Sequence, residues 1–446
     1  MTVDFVLNNA KAYVKHAVVD CSIAIESGRI LKIGKESQMP RADERTDLHN
    51  LLVLPGVIDS HVHLRDEGKA YKETFATGTA AAAAGGVTTV LDMPNNSPVT
   101  MSGETLRNRM NLAQRRILVN VGFFSEFPAS SSEMEEIVDA GAVGFKLFMA
   151  DPVGALDIDD DEAVAEAFAE EGKLGVPVAV HAEDHALLKK AVDALKLANR
   201  HDLAAFLKAH DENVELAAVK RLLSLSQHIE MHLHFCHIST EQALAAVAEA
   251  QKSGSQVTCE ATPHHLFLSK ADLERLGTAA LTTPPLRAKS HVEALWKSIG
   301  EGTVTVIGSD HAPHTAEEKN AGSVWDVKVG VPGLETTLPL MLTAVHRNRL
   351  TLDRAVQLLA ETPAELFSLK DRGSLEQEKA ADFVVVDFYR KWKVDASRFQ
   401  SKAKFSPFDG WEVQGKPVKT FVNGVLVMDD GEVVAKPGSG SVLRRG

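Results

Sequence analysis

The sequence has few cysteines, no long apolar run and no excess of positive charge. Its three cysteines, Cys21, Cys236 and Cys259, are too few and too scattered for a disulfide framework or a thiolate zinc cluster, so we expect buried, reduced thiols. No apolar stretch approaches the roughly 20 residues of a membrane helix, and the N-terminus lacks the basic and apolar layout of a signal peptide. We therefore expect a cytoplasmic protein whose metals, if any, have nitrogen and oxygen ligands.

The charge and the length narrow the class of protein further. A formal net charge of -13 at pH 7 argues against a dedicated nucleic-acid surface, although a local cationic pocket for an anionic substrate stays open. Hydrophobic residues make up 44% of the chain and charged residues 24%, which is typical of globular proteins. A chain of 446 residues suits one large α/β barrel with an appended module.

The middle of the chain alternates short apolar strands with longer helical stretches. This alternation is typical of a parallel sheet covered by helices. The predicted strands are residues 57–64, 87–93, 117–123, 143–148, 176–181, 232–237, 256–261 and 304–309. Eight is the number of strands that closes a TIM barrel, so the sequence predicts a barrel over residues 55–371.

Both ends of the chain have a different pattern. The first fifty residues alternate apolar and polar side chains in short runs broken by Gly28 and Gly34. Beyond residue 369, strands are predicted at residues 383–387, 418–422 and 425–428, with turns at the Asn-Gly and Asp-Gly pairs of residues 423–424 and 430–431. We predict that residues 1–54 and 372–446 together form one small β module.

Polar residues follow several of the predicted strands at the end where a TIM barrel carries its active site. His61 and His63 are two apart on one strand, so both side chains face the same way and suit one zinc ion. Such a pair alone is weak evidence, because it could equally consist of core or surface histidines. Four more candidates end other strands: Lys146, His181, His237 and Asp310. Independent structural residues would not all fall at strand ends, so together they favour a metal site.

The segments DSHVHLRD, GFKLFM, VHAED, CHIS and SDHAPH, in this order and spacing, resemble the amidohydrolase superfamily over nearly the whole chain. The resemblance implies a distorted (β/α)8 barrel with a β-sandwich made from both termini. It also implies two Zn²⁺ ions per subunit, bridged by N6-carboxylated Lys146. The implied metal ligands are His61, His63 and Asp310 at the more buried ion, His181 and His237 at the more exposed ion, and Lys146 at both.

Within the superfamily the chain looks most like the dihydroorotases, through Arg65 in HLRD, Asn95 in DMPNN, the ATPHHL and PPLR segments, and His314 in DHAPH. Dihydroorotate carries a carboxylate on a cyclic amide, and a guanidinium, an amide and an imidazole can orient that anion. Arg65, Asn95 and His314 are therefore the predicted substrate-binding residues. Each has a plain alternative: a salt bridge at the rim for Arg65, a turn after Pro94 for Asn95, and a loop histidine for His314.

Two positions bear on the resemblance to dihydroorotases. Thr283 precedes the PPLR segment where an asparagine is usual, which keeps allantoinase and the hydantoinase or dihydropyrimidinase group open as alternatives. Some dihydroorotases carry aspartate at the position of Lys146, and the lysine favours the carbamate-bridged arrangement. A non-catalytic assembly protein with this fold is a more remote alternative, since no ligand of the set is missing.

The resemblance also implies a reaction and partners. A hydroxide between the metals would attack the ring amide carbonyl, and Asp310 would pass its proton to the leaving nitrogen. In reverse, N-carbamoyl-L-aspartate would close to L-dihydroorotate in de novo pyrimidine biosynthesis. The expected partners are this small-molecule substrate, further copies of the chain in a dimer or tetramer, and aspartate carbamoyltransferase. No feature predicts a nucleic-acid or membrane partner.

The segment of residues 315–331 is polar and follows the proposed site, so it is either a mobile lid or a plain surface loop. Its charged residues are predicted to be solvated: Glu317, Glu318 and Lys319. His264 and His265 are predicted to be supporting or structural residues, and three other histidines to lie on the surface or in helices: His201, His210 and His228.

Overall fold

Five strands precede the barrel in the structure, a computed structural model that describes residues 2–445. They are β1 (Thr2–Val14), β2 (Ala17–Glu26), β3 (Arg29–Gly34), β4 (Arg41–Asp47) and β5 (Leu52–Pro55). β1 pairs antiparallel with β2 and parallel with both β4 and β5. Ile23 and Ile25 of β2 pack in one apolar cluster and Ala24 between them packs in another, because successive side chains of a strand point to opposite faces.

Eight parallel strands form the barrel. They are β6 (Val57–Val62), β7 (Val87–Asp92), β8 (Asn120–Glu126), β9 (Gly144–Phe148), β10 (Val178–His181), β11 (Leu233–Phe235), β12 (Val257–Ala261) and β13 (Val306–Ile307). Each strand pairs with the next along the chain, from β6 to β13. A parallel bridge between Val62 and His311 brings the segment after β13 to β6, so the barrel is nearly closed. Nearly all strand residues are buried, as in parallel sheets covered by helices.

Helices follow the strands and cover the barrel. They are α1 (Phe75–Ala84), α2 (Gly103–Gln114), α3 (Ser132–Ala140), α4 (Asp161–Leu174), α5 (His185–Leu197), α6 (Leu203–Ala209), α7 (Glu212–Leu225), α8 (Glu241–Lys252), α9 (Pro263–Phe267), α10 (Lys270–Leu276), α11 (Lys289–Glu301), α12 (Ala316–Lys319), α13 (Thr337–His346), α14 (Leu352–Val356) and α15 (Thr362–Leu366). Asp184 and Asp211 cap α5 and α7 by accepting from backbone N–H groups of the first turn. Gly175 ends α4 in the left-handed conformation, which costs glycine little.

Four further strands follow the barrel: β14 (Phe383–Lys393), β15 (Glu412–Val422), β16 (Val425–Asp429) and β17 (Glu432–Val433). β14 pairs antiparallel with β5, so both ends of the chain share one nine-stranded mixed sheet. Asn423 and Gly424 have positive φ angles of 48° and 78° between β15 and β16, which confirms the predicted tight turn. Leu7, Ile23 and Phe383 pack together in the apolar core of this sheet.

The predicted fold class is confirmed: a TIM-like barrel is joined to a β structure made from both termini. All eight predicted barrel strands correspond to observed ones, but β8 begins at residue 120, later than predicted. Ile117 lies outside β8. Its carbonyl accepts from the backbone N–H of Gly438, in the C-terminal segment, and not from a neighbouring barrel strand. The division into residues 55–371 and residues 1–54 with 372–446 stays a prediction.

Two predictions about the whole chain concern its cysteines and its helices. The three cysteines are buried and unpaired, as expected. Within residues 2–445, no helix combines the length and the apolar character that crossing a membrane requires.

Candidate active site

The predicted metal ligands meet at the carboxyl end of the barrel strands. All six are buried: His61 in β6 and His63 just after it, Lys146 in β9, His181 at the end of β10, His237 after β11 and Asp310 after β13. His237 and Asp310 have positive φ angles of 36° and 46°, in the left-handed region that few residues other than glycine adopt. Their strands end in this conformation at the mouth of the barrel, where TIM-barrel active sites lie.

His61, His63 and Asp310 form one potential metal site. Oδ1 of Asp310 lies 3.4 Å from Nε2 of His61 and 3.3 Å from Nε2 of His63. One ligand atom from each residue lies within 4.8 Å of the others. Two imidazole nitrogens and a carboxylate oxygen are a donor set that zinc accepts.

His181 and His237 form a second pair of potential ligands. Nδ1 of His181 lies 3.2 Å from Nε2 of His237. Two nitrogens that bind one tetrahedral zinc at 2.0 to 2.1 Å are separated by about 3.3 Å. The observed spacing therefore fits two ligands of one ion.

The outer nitrogen of three of these rings bonds to an acceptor: Nδ1 of His61 to Glu260 Oε1 at 2.6 Å, Nδ1 of His63 to Asn95 Oδ1 at 2.8 Å, and Nε2 of His181 to Glu183 Oε2 at 3.0 Å. An acceptor at one ring nitrogen holds the proton there and leaves a lone pair on the other. The lone pairs then face the space between the rings, as metal binding requires. Asn95 thus contacts a proposed metal ligand as well as the cavity described below.

The electrostatics of His61 and His63 differ because of their neighbours. Burial lowers the pKa of His63 to about 3, so this ring is neutral. Burial also opposes a charge on His61, but the Glu260 carboxylate outweighs it and raises the pKa of His61 to about 10. Without a metal, a proton therefore occupies His61, and a metal ion bound there would have to compete with it.

Lys146 is fully buried in β9. Its Nζ donates to Sγ of Cys236 at 2.9 Å and lies 5.1 Å from the centre of the Phe148 ring. Within residues 2–445, no carboxylate lies within 4.0 Å of this amine. An unpaired buried ammonium is costly, and carboxylation replaces it with a carbamate anion that bound cations would neutralise, so the position fits the modification implied by the resemblance.

A cavity of about 690 Å³ opens onto the predicted metal ligands. The predicted substrate residues Arg65, Asn95 and His314 line it, and so does Thr283. Much of the remaining lining is apolar: Phe148, Val153, Leu188, Val192, Phe206 and Trp325. A cavity of this size with a few convergent polar groups is typical of a small-molecule site.

Arg65 faces this cavity as a buried guanidinium with unused donors. One terminal nitrogen lies 3.4 Å from Nε2 of His314, and Nε has no hydrogen-bond partner. No carboxylate in the described part of the chain lies within 4.0 Å of it. Burial lowers the pKa of Arg65 to about 10, which leaves it charged at neutral pH. The group can therefore bind an anion.

His314 already uses both ring nitrogens within the protein. Nε2 donates to the carbonyl of Val329 at 2.8 Å, and Nδ1 accepts from Nζ of Lys72 at 3.1 Å. Burial, with Arg65 and Lys72 nearby, lowers the pKa of His314 to about 2, so the ring is neutral. It connects the segment after β6 to the segment after β13, and its role as a substrate residue stays a prediction.

The prediction that Lys319 is solvated was wrong. This lysine is 3% exposed, and its Nζ donates to the carbonyls of Leu281 and Gly330 at 3.0 and 2.9 Å. Sequence alone could not identify these partners, because both are backbone atoms. The neighbouring Glu318 is also held, since it accepts from Lys72 at 2.8 Å. Whether residues 315–331 form a mobile lid stays a prediction.

The prediction for His210 was also wrong. It is buried, lines the cavity and bonds through Nδ1 to Oε1 of Glu183 at 2.8 Å. The other histidines agree with expectation: His264 and His265 are buried near the site, whereas His201 and His228 are exposed.

Two glutamates near the site were not predicted from the sequence: Glu183 and Glu260. Two sequence features could have indicated them: Glu260 lies inside an apolar strand, and Glu183 lies two residues after His181. Carboxylates are rarely buried unless they are paired.

The comparisons with known proteins agree with this architecture. Residues 52–427 match the amidohydrolase family. A dihydroorotase of Methanothermobacter thermautotrophicus is 38% identical over 418 residues, which cover 93% of this chain and 92% of the relative. An L-hydantoinase of Paenarthrobacter aurescens is 33% identical over 99% of this chain and 95% of the relative. The solved structure of an L-hydantoinase (dihydropyrimidinase) from Arthrobacter aurescens superimposes with a TM-score of 0.95 at 33% identity, over 99% of this chain and 100% of that one. The chain belongs to the amidohydrolase family.

Proposed function

We propose that this protein is a zinc-dependent dihydroorotase, which interconverts L-dihydroorotate and N-carbamoyl-L-aspartate. The observation that carries the substrate assignment is Arg65, a buried guanidinium that lines the cavity without a carboxylate partner among residues 2–445. A substrate carboxylate would complete its hydrogen bonds, and charge-assisted bonds of this kind are strong. The relatives named dihydroorotase support the same assignment.

The proposed ligands of two Zn²⁺ ions are His61, His63, Lys146 in its N6-carboxylated form, His181, His237 and Asp310. The outward hydrogen bonds of the histidines and the spacing of His181 and His237 support this assignment. When bound, zinc supplies a Lewis acid that polarises a carbonyl and lowers the pKa of water from 15.7 to about 7.

Asp310 is the proposed proton carrier. Burial opposes its charge, but His61, His63 and His237 hold the pKa of Asp310 well below its usual range. The ionised carboxylate can take a proton from the attacking water and deliver it to the ring nitrogen that leaves. In the closing direction, the same carboxylate takes the proton from the carbamoyl nitrogen.

Two residues orient the substrate in this proposal. Arg65 binds the carboxylate. Asn95 uses Oδ1 to hold His63, which leaves its Nδ2 group to donate to the substrate. His314 would join them only if substrate binding released one of its bonds to Lys72 or Val329. We place the activity in cytoplasmic de novo pyrimidine biosynthesis, with a dimer or tetramer and aspartate carbamoyltransferase as the expected assemblies.

The first test is turnover of the zinc-loaded protein on L-dihydroorotate, allantoin and dihydrouracil, measured side by side with a chelator-treated control. We expect a clear preference for L-dihydroorotate and loss of activity in the chelated sample. A preference for either of the other rings would contradict the substrate assignment, and activity that survives complete metal removal would contradict the zinc dependence.

The apolar part of the cavity favours a hydantoinase as the second candidate. Leu188, Phe206 and Trp325 line it, whereas dihydroorotate carries no apolar substituent that could contact them. A hydantoin with a bulky apolar group on its ring would fill this space. A higher kcat/KM for 5-benzylhydantoin than for dihydroorotate would support this candidate.

A pair of leucine variants tests the second candidate directly. Leu188→Ala should lower the rate on 5-benzylhydantoin and leave dihydroorotate unchanged. Leu195→Ala is the matched control, because Leu195 is equally buried on α5 but does not line the cavity. Equal effects of both variants would show that the apolar lining does not contact the substrate.

A further inference from the structure

We propose that His210 is a further substrate-binding residue, that its Nε2 accepts a hydrogen bond from a ring N–H group of the substrate, and that Glu183 positions it. The inference rests on the proposed cyclic amide substrate, whichever ring that is. It assigns a role to two residues that the reaction described above does not use.

The position of His210 places its ring at the substrate. The residue follows α6, its side chain is buried, and it lines the same cavity as Arg65 and the proposed metal ligands. Its ring stacks on Phe206, with a centroid distance of 4.2 Å and an interplanar angle of 29°. Its backbone carbonyl accepts from Arg287. Stacking and the backbone contact hold the ring in one orientation before any substrate binds.

The hydrogen bonds of His210 determine which nitrogen carries the proton. Nδ1 lies 2.8 Å from Oε1 of Glu183, a carboxylate that can only accept when ionised. Nδ1 is therefore the donor, and Nε2 has a lone pair. In the part of the chain that the structure describes, Nε2 has no hydrogen-bond partner. An acceptor at the edge of the cavity is complementary to an N–H donor.

Cyclic amide substrates supply this donor. Dihydroorotate, dihydrouracil and hydantoins all have an N–H on the ring nitrogen that leaves during opening and another elsewhere in the ring. After opening, both nitrogens belong to the ureido group and still carry hydrogens. The same contact can therefore serve ring opening and ring closure.

Glu183 connects this contact to the metal site. Oε2 of the same carboxylate bonds to Nε2 of His181, a proposed metal ligand, at 3.0 Å. One buried carboxylate thus fixes a metal-facing ring and a substrate-facing ring relative to each other. Glutamine at this position can accept through one atom only, because the other becomes an NH₂ donor. In Glu183→Gln, one of the two rings must therefore change its tautomer.

The test uses His210→Asn and His210→Gln in the zinc-loaded protein. The asparagine amide reaches the position of Nδ1 and keeps a donor to Glu183, but removes the acceptor in the cavity. The glutamine amide reaches the position of Nε2 and restores an acceptor. His228→Asn is the control, because His228 is exposed and remote from the cavity. The readouts are zinc content, melting temperature, and kcat/KM on the preferred ring and on its two N-methylated forms.

We expect the wild type to prefer the ring with free N–H groups over at least one N-methylated form. In His210→Asn, we expect kcat/KM on the free ring to fall about tenfold and this preference to shrink, with zinc content unchanged. His210→Gln should recover part of the preference, and His228→Asn should match the wild type. Glu183→Gln should lower zinc content, the preference, or both.

The outcomes separate this inference from the proposed function. If the wild type opens cyclic amides and His210→Asn keeps the full preference for free N–H groups, the role of His210 is wrong and the proposed function stands. If His210→Asn loses zinc as well as activity while His210→Gln keeps zinc but recovers no preference, His210 is only structural. If the zinc-loaded wild type opens no cyclic amide, the proposed function and this inference are both wrong.

Discussion

Oε1 of Glu260 lies 2.6 Å from Nδ1 of His61, and each side chain is 1% exposed. The two residues come from β12 and β6, which lie far apart in the sequence. A carboxylate on the outer nitrogen of a metal-ligating histidine fixes its tautomer and increases its basicity. Glu260 would thus prepare His61, a proposed ligand, for a metal that Glu260 itself does not need to contact.

Glu260→Gln should weaken zinc binding. The amide still bonds to His61 but no longer supplies a negative charge, and loss of such a partner costs about 10- to 100-fold in metal affinity. Competition with a chelating dye measures this affinity. Glu274→Gln is the control, because Glu274 is exposed on α10. Equal zinc affinity in the two variants would contradict the role of Glu260.

Asp310→Asn should abolish ring opening and ring closure alike. The amide cannot take a proton from water, and general acid–base catalysis contributes about 10² to 10⁴ in rate. Initial rates in both directions measure the loss. Asp326→Asn, an exposed aspartate in the same region, should keep the wild-type rate. An Asp310→Asn enzyme with appreciable activity would rule out the proton transfer assigned to Asp310.

Arg65→Ala should raise KM for L-dihydroorotate by about 10- to 100-fold, because hydrogen bonds to charged groups contribute about 1.5 to 3 kcal/mol. Dihydrouracil has no carboxylate, so its KM should change little. The ratio of the two KM values therefore isolates the anion contact from any general disturbance of the cavity. An unchanged ratio would mean that Arg65 does not bind the substrate carboxylate.

Lys319 predicts a pH dependence of stability. Burial lowers its pKa from 10.5 to about 7. Below pH 7 both the folded and the unfolded chain hold the proton, and the folded state bears the full cost of the buried charge. Between pH 7 and 10.5 the unfolded chain binds more protons, so stability rises with pH, by up to about 1.4 kcal/mol per unit.

Lys319→Met lacks this titration. The free energy of unfolding of the wild type, minus that of the variant, should therefore increase from pH 7 towards pH 10. Urea denaturation at several pH values measures this difference. Lys328→Met, at an exposed lysine of the same segment, should show no such trend. A difference that is independent of pH would mean that Lys319 titrates normally.

The sequence predicted the barrel well because its strands are buried on both faces and appear as short apolar runs. It predicted β14 less well: the predicted strand ends at residue 387, but the observed strand continues to Lys393 with the exposed Tyr389 and Arg390. This solvent-facing half mixes aromatic and charged side chains and lacks the apolar run of a buried strand. This half is a strand because it pairs with β15 through Lys391 and Trp392.

The proposed metal ligands could be selected from the sequence because each lies in a short motif at a strand end. Their supporting residues were not, since those roles depend on neighbours that only the fold brings together. Glu260 bonds to a ring 199 residues away in the sequence. His210 sits in an ordinary helical stretch, and nothing local distinguishes it from the exposed His201.

The pairing of β5 with β14 also bears on how the chain is made. A ribosome releases β1 to β5 first, but the strand that covers the edge of β5 emerges only after the whole barrel. Until then, that edge has unpaired N–H and C=O groups and can pair with other chains. Contacts between such distant segments form slowly. A nascent chain that stalls before β14 therefore exposes an aggregation-prone edge, and chaperones that shield such edges should matter from the release of β5 until β14 emerges.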